Sequence, residues 1–549
     1  MAVKVPPIVI KFGAGLNSRA RLSDVNIEET SLGENFDLDA KNSALRPRRP
    51  FKKIVQTPNG VAATATDTTP LLGYAQLRKR NGTVDQIVQC ASVVYHWNGA
   101  TTFSTLAELS ASDSKIRGRA HHNWGLATYV IVTDLEKQED VQFWDGATAT
   151  GFQTLPTGLT NLKAKYAHVL RERVILANLT ENSVDLSHMT VFSKVSTATT
   201  YSVSDKPSSA LGLDDAVYML TPNLRPINGL DVAFGDVVYS TEKDRLFVLS
   251  GDSSFDFAFG EFYDNSNASG DESVVNIGND LLFGRSGAID ILSSTIKYGD
   301  VEVDDVSRWI KENIERTESW TNVYDQRNQR VICFPNNQSA AYVLHKDIFY
   351  EPKHSLDPAP RMSPWSRWRT TYPTGFSPTV VWAMTDPIDG YESVYFGDSS
   401  GNIYKFDPED TDLDAASDVV TVTRRSKLIN LPEAMQLFDI EGWIDYTKQW
   451  EATVQLNFIF GGEQSPTTSI TLTLPGSDSI GHYYNSSNAS LQAVYNNDDY
   501  YRAGYDFSIR RQNWKVAGQG NTLQVECIVS SSGRDWQIEE IGLRIHASA

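Results

Sequence analysis

A phrase stated twice limits what this chain can fold into more than any other feature. Val94-Tyr95-His96-Trp97-Asn98-Gly99-Ala100-Thr101 leads on to Phe103 and Leu106, and Val141-Gln142-Phe143-Trp144-Asp145-Gly146-Ala147-Thr148 leads on to Phe152 and Leu155. Each reads as a strand, a tight turn and a second strand. Asn-Gly or Asp-Gly between apolar runs suits a type I′ turn, whose two central residues both take φ > 0. Trp97 and Trp144 stand 47 residues apart, and Val191, in Thr190-Val191-Phe192-Ser193, follows after another 47. A hairpin recurring at this period predicts repeated four-stranded sheets, the blades of a β-propeller.

The remaining text divides around that repeat. Residues 1–60 read as an extended arm, because Pro6-Pro7 keeps the chain out of a helix and only short apolar runs follow. Residues 61–407 alternate strand and turn in about seven units, the later ones keeping the alternation and losing the phrase. One interruption, Val306 to Trp320, sets Val306, Trp309, Ile310, Ile314 and Trp320 among polar residues at the spacing of an amphipathic helix on the propeller's side. Residues 408–418 are an acidic linker. Residues 419–549 predict a β-sandwich-like domain with strands at Val419–Arg424, Gln436–Tyr446, Glu451–Phe460, Thr468–Leu474, Gly504–Gln512, Thr522–Ser530 and Gln537–Ile545. The expected fold is therefore all-β: a propeller of about seven blades, an N-terminal arm and a C-terminal sandwich.

Charge and cysteine usage narrow the classes of function. A formal net charge of −19 argues against a general nucleic-acid binder or a partner in an anionic membrane surface, while suiting a wall that DNA slides past. Cys90, Cys333 and Cys527 are far apart and odd in number, the pattern of reduced cytoplasmic thiols. Neither an apolar run long enough to span a bilayer nor the apolar core of a signal peptide is present, so no stable membrane insertion is expected.

Motifs that would carry chemistry do not assemble. Adjacent residues of a strand point to opposite faces, so His121 and His122 make a poor metal pair. Asp410, Asp412 and Asp414 alternate as in a calcium loop, but Ala415 stands at the turn-glycine place and Thr421 at the closing-glutamate place. Ser531-Ser532-Gly533-Arg534-Asp535-Trp536 is similar to a sialidase-type box but lacks its first Asp and reads as a hairpin turn. The basic cluster Arg46, Arg48, Arg49, Lys52 and Lys53 is read as solvated charge beside a strand in preference to a nucleic-acid patch. No catalytic, cofactor-binding or metal site is expected, and the chain is not expected to be an enzyme.

Several short pieces, taken in order, resemble the tail nozzle proteins of short-tailed bacteriophages, also called tail tubular or tail hub proteins. They are Phe12-Gly13-Ala14-Gly15-Leu16-Asn17, Gly33-Glu34-Asn35-Phe36-Asp37 and Ala44-Leu45-Arg46-Pro47-Arg48 in the arm. They continue with Asp304-Asp305-Val306-Ser307-Arg308, Pro364-Trp365-Ser366-Arg367-Trp368 and Val394-Tyr395-Phe396-Gly397-Asp398 through Tyr404. Gly13-Ala14-Gly15 departs from the family's usual Gly-Gly, and Pro50 stands where a Gly is common. The resemblance implies a structural virion protein made in the host cytoplasm. It would form a hexameric ring below the head-to-tail adaptor, contact tail fibres or tailspikes, and wall the channel through which viral DNA is ejected with weak contacts. Six copies would carry about −114 formal charges, so a mostly acidic lumen is expected. The alternatives are a receptor-binding adhesin propeller, marked by an apical groove of exposed aromatics, and a polysaccharide-cleaving propeller, marked by converging carboxylates.

Overall fold

The computed structural model describes residues 7–547 apart from 19–28, 39–44, 58–68, 99–101, 123–127, 148–150, 202–215, 295–300, 350–362, 371–376, 407–412, 415–417, 432–436, 475–509, 531–535 and shorter segments. Seven four-stranded antiparallel blades follow one another around an axis, as the repeat predicts. Their innermost strands are Leu71–Arg78, Ile116–His122, Lys163–Leu170, Ile227–Ala233, Val274–Asn276, Trp320–Asp325 and Val380–Thr385. Each packs on the next, and Val380–Thr385 returns to Leu71–Arg78, closing the ring. The first two blades are also joined edge to edge by parallel pairing of Arg117 with Tyr74 and Gly118 with Ala75.

The repeated phrase occupies one place in successive blades. Trp97, Trp144 and Val191 all lie at or next to the end of the third strand, in Val93–Trp97, Gln142–Trp144 and Val184–Phe192. All three are completely buried. Trp97 fills the seam between the seventh and first blades, edge-on to Tyr395 at 5.8 Å and stacked on Phe103 at 6.3 Å. Trp144 fills the next seam, against Ala75, Leu77 and Val94. Sheets that twist leave wedge-shaped gaps between their outer halves, and a large flat indole fills such a gap.

The turns after these tryptophans are wider than type I′. Trp97 pairs with Phe103, so five residues separate the strands, and Asn98 and Thr102 close the loop by exchanging hydrogen bonds. After Trp144, Gly146 has φ +92°, the Asp145 carboxylate accepts the Ala147 amide, and the Trp144 indole donates to the Ala147 carbonyl. The Asx-type bond to the side chain replaces the two-residue closure.

The seventh blade is completed from the other end of the chain. Phe51–Gln56, which the sequence reading places in the arm, is its outer strand, with Phe51 opposite Phe406 and Val55 opposite Ile403. Phe51 packs edge-on to Phe396 at 5.2 Å and to Tyr404 at 5.7 Å.

The C-terminal domain is a two-sheet sandwich around one core that includes Phe438, Ile440, Leu456, Phe458 and Val525. One sheet runs Ile8–Ile10, Trp536–Ala547, Leu437–Lys448, Arg510–Gln519, and the other runs Leu32–Glu34, Thr421–Arg425, Thr522–Ser530, Ala452–Phe460, Thr468–Leu474. The arm thus supplies an edge strand to each sheet. Of the strand expected at Gly504–Gln512, residues 504–509 lie outside the described residues; the described strand is Arg510–Gln519, whose Trp514 and Val516 reach the core.

The helix expected over Val306–Trp320 shrinks to the single turn Lys311–Ile314. Val306, Trp309, Ile310, Ile314 and Trp320 are all buried in the core of the fifth and sixth blades, which leaves that stripe no regular helical face. The carbonyls a longer helix would need are taken from outside. Val306 O accepts the Trp365 indole at 2.6 Å, and Trp309 O accepts the Ser18 amide at 2.7 Å. Ile310 N and Asn313 N turn instead to carbonyls three residues back.

Candidate functional site

Where the arm, the sixth blade and the sandwich meet, buried charged and polar side chains tie the three together. At Gly15 the arm crosses the outer strand of the sixth blade, Trp365–Arg369, so closely that a Cβ there would overlap the Trp365 carbonyl. Gly15 N donates to Ser363 O and Leu16 N to Trp365 O, both at 2.7 Å. Glu29, buried, holds this crossing from both sides: one oxygen accepts the Asn17 side-chain amide and the other the Ser363 amide, each at 2.8 Å. A carboxylate accepting several N–H bonds is the strong form of such a clamp.

From the sandwich side, Arg424 reaches under the same turn. Its guanidinium donates to Ala14 O at 2.6 Å and to Phe12 O at 3.3 Å, and lies over the rings of Phe12 at 4.9 Å and Phe36 at 5.2 Å. Arg424 is buried, so cation–π contact and carbonyl acceptors take the place of water.

Further along, Asn35 sits at φ +60° and ties three segments together. Its amide donates to Arg367 O, its side-chain oxygen accepts the Arg369 amide and the Arg48 guanidinium, and its side-chain nitrogen donates to Thr421 O. Glu34 pairs with Arg369 at 3.2 Å and Arg367 at 3.5 Å, while the Trp368 indole donates to Phe36 O. Beside them Arg330, almost fully buried, bridges Asp325 at 2.9 Å and the arm's Asp37 at 3.3 Å and lies 4.7 Å over the Trp368 ring. His345 lies 3.7 Å from Asp37 and hydrogen-bonds the Ser366 hydroxyl, and burial holds its imidazole down to about 4.

The basic cluster of the arm is therefore not one solvated patch. Arg48 is buried, bonded to Asn35 and Arg369 O and lying 5.9 Å from the Trp368 ring, whereas Arg46 bonds Gln537 in the sandwich. Arg49 lies outside the described residues, as do Asp410, Asp412 and the Ser531–Asp535 stretch. His121 faces the propeller axis and bonds Gln76 O. The thiols are buried, and desolvation pushes that of Cys527 up to about 12.

A second set of charges links blades that are not neighbours in the ring. Arg117, from the second blade, reaches Glu272 at the start of the fifth through two bonds of 2.8 Å, with both side chains nearly buried. Asp271 beside it meets Lys165 at 3.2 Å and the Tyr166 hydroxyl at 2.9 Å on the third blade. These contacts tie the second and third blades to the start of the fifth. No spacing in the sequence signals either pair, because the partners lie 155 and 106 residues apart.

No family model matches the chain, and no curated protein matches it. Among solved structures, a catalytically inactive virginiamycin B lyase from Staphylococcus aureus with quinupristin is similar at a TM-score of 0.39 and 11% identity, over 65% of this chain and 98% of that one. YCF48 bound to a D1 peptide is similar at 0.38 and 10% over 66% and 96%, and the WD40 domain of Toxoplasma gondii coronin at 0.36 and 8% over 70% and 89%.

Proposed function

We propose that this protein is the nozzle of a short phage tail: a structural virion protein, six copies of which ring the DNA ejection channel below the head-to-tail adaptor. The observation that carries the reading is where the family-like pieces meet. Phe12–Asn17 and Gly33–Asp37 of the arm dock on Val306 to Trp309 and Pro364–Trp368 of the propeller, and Leu45–Arg48 bridges the propeller and the sandwich beside them. Five of the six pieces thus meet in one mechanical joint, which fixes the sandwich to the side of the propeller, while Val394 to Tyr404 lies in the seventh blade. A tube wall that must hold while DNA passes needs that rigidity between domains more than it needs a reactive group.

The channel would run between copies. With −19 per chain, the lumen repels phosphate and keeps contacts transient. Native mass measurement, alone and with the adaptor, is expected to give a six-copy ring. A chain that stays monomeric in both conditions, or a ring whose lumen is predominantly basic by cryo-EM, overturns the reading.

A further inference from the structure

The two sheets of the sandwich end in four outermost strands, and three of them are guarded against a further strand. Ile8–Ile10 is only three residues long, Leu32–Glu34 lies against the outer strand of the sixth blade, and Arg510–Gln519 carries the exposed Arg511 and Lys515. The fourth, Thr468–Leu474, has none of these guards. Its seven residues include no charge, proline or glycine, and it pairs with Ala452–Phe460 without a bulge, from Leu474 opposite Ala452 to Thr468 opposite Phe458. Among the described residues no strand takes up its outer edge.

That edge is its own complement. Ser469, Thr471 and Thr473 face solvent, while Ile470 and Leu472 turn towards the core and stay only partly buried. Arg510–Gln519, the neighbouring edge of the other sheet, likewise leaves Val516 only partly covered, so apolar surface remains on this side of the sandwich. On the next strand in, Thr453, Gln455 and Asn457 lie on the same face as the three hydroxyls and are uncharged too. In a chain of net charge −19, this strip lets two copies approach without local repulsion. Two such strands laid antiparallel about Thr471 set Ser469 opposite Thr473 and Ile470 opposite Leu472, hydroxyl to hydroxyl and apolar to apolar.

We propose that the free protein forms a twofold dimer in which Thr468–Leu474 of two copies pair edge to edge, joining their sheets into one. Chains in such a pair point in opposite directions, whereas the copies of a ring all point one way, so the pair belongs to the unassembled chain. It does not rest on the nozzle reading: a chain that dimerises and never forms a ring fails that reading alone. The full-length chain, freed of any six-copy species by gel filtration, is followed by sedimentation velocity. A dimer with a Kd on the order of 10 μM is expected. Thr471 lies on the twofold, so Thr471→Lys and Thr471→Asp each set like charges face to face, and each is expected to weaken the dimer about tenfold or more. Mixing the two variants is expected to restore it, because opposite charges then meet. A merely structural role of Thr471 gives no such rescue. Should either variant fail to fold, hydrogen exchange decides: the amides of residues 468–473 that do not bond Ala452–Phe460 are expected to slow as protein concentration rises through the Kd. The proposal is overturned by a chain that stays monomeric at about 100 μM, by single variants that dimerise like the native chain, or by a mixture that stays monomeric. Exchange already slow in the monomer, as when the chain covers its own edge, overturns it as well.

Discussion

Trp97 could be picked out from the sequence because it heads a phrase that recurs, and its burial between two blades gives that phrase a packing role. Trp97→Ala leaves a hole at the seam with Tyr395 and is expected to cost about 3–5 kcal/mol, read as a lowered urea midpoint with an unchanged slope. His345 was not legible, since a lone histidine shows nothing of the Asp37 and Arg330 that surround it. Unfolded, its imidazole titrates near 6.5; folded, near 4. Between those values the unfolded chain takes up a proton and the native one does not, so stability present above pH 6.5 is lost as the pH falls towards 4. The loss is on the order of 3 kcal/mol. His345→Gln, which keeps a partner for Ser366, is expected to flatten the Tm between pH 6.5 and 4; an unaltered slope would place the acid sensitivity elsewhere.

Elements were legible where they obey a local period and illegible where they answer to a distant partner. Thr468–Leu474 and Thr522–Ser530 stand where alternation puts them. The stripe from Val306 to Trp320 carries a helical period, yet Trp365 and Ser18 claim two of its carbonyls, and neither claim is written in the stripe. The arm is the sharper instance: Phe51–Gln56 looks like any short strand, and only its register with Asn402–Phe406 makes it part of a blade. Gly15 tests the arm as an element. Gly15→Val puts a branched side chain against the Trp365 carbonyl and is expected to lift the arm from the sixth blade, seen as proteolytic cleavage between residues 1 and 50 while the propeller stays intact. Protection equal to the native chain would show that the crossing tolerates bulk.

At the scale of the molecule, blade number followed from the repeat, but the charge pairs that link distant blades did not. Glu272→Gln strands the Arg117 guanidinium in a nearly buried site and is expected to cost about 3–5 kcal/mol in thermal unfolding. The double variant Arg117→Met, Glu272→Met is expected to recover much of that loss, because no unpaired charge remains. If the single and double variants are equally destabilised, the bridge matters for shape and not for charge.

The pairing of Ile8–Ile10 with Ile541–Leu543 has a consequence in time. A ribosome adding about 5–20 residues per second needs on the order of a minute between making the first of these strands and the last. Throughout that interval the arm has blade strands to meet but no sandwich. Ile10 and Phe12, core residues in the finished protein, wait in water for partners not yet synthesised. Non-local pairing of this kind is slow and exposes apolar surface, so the arm's first strand is among the last to find its partner.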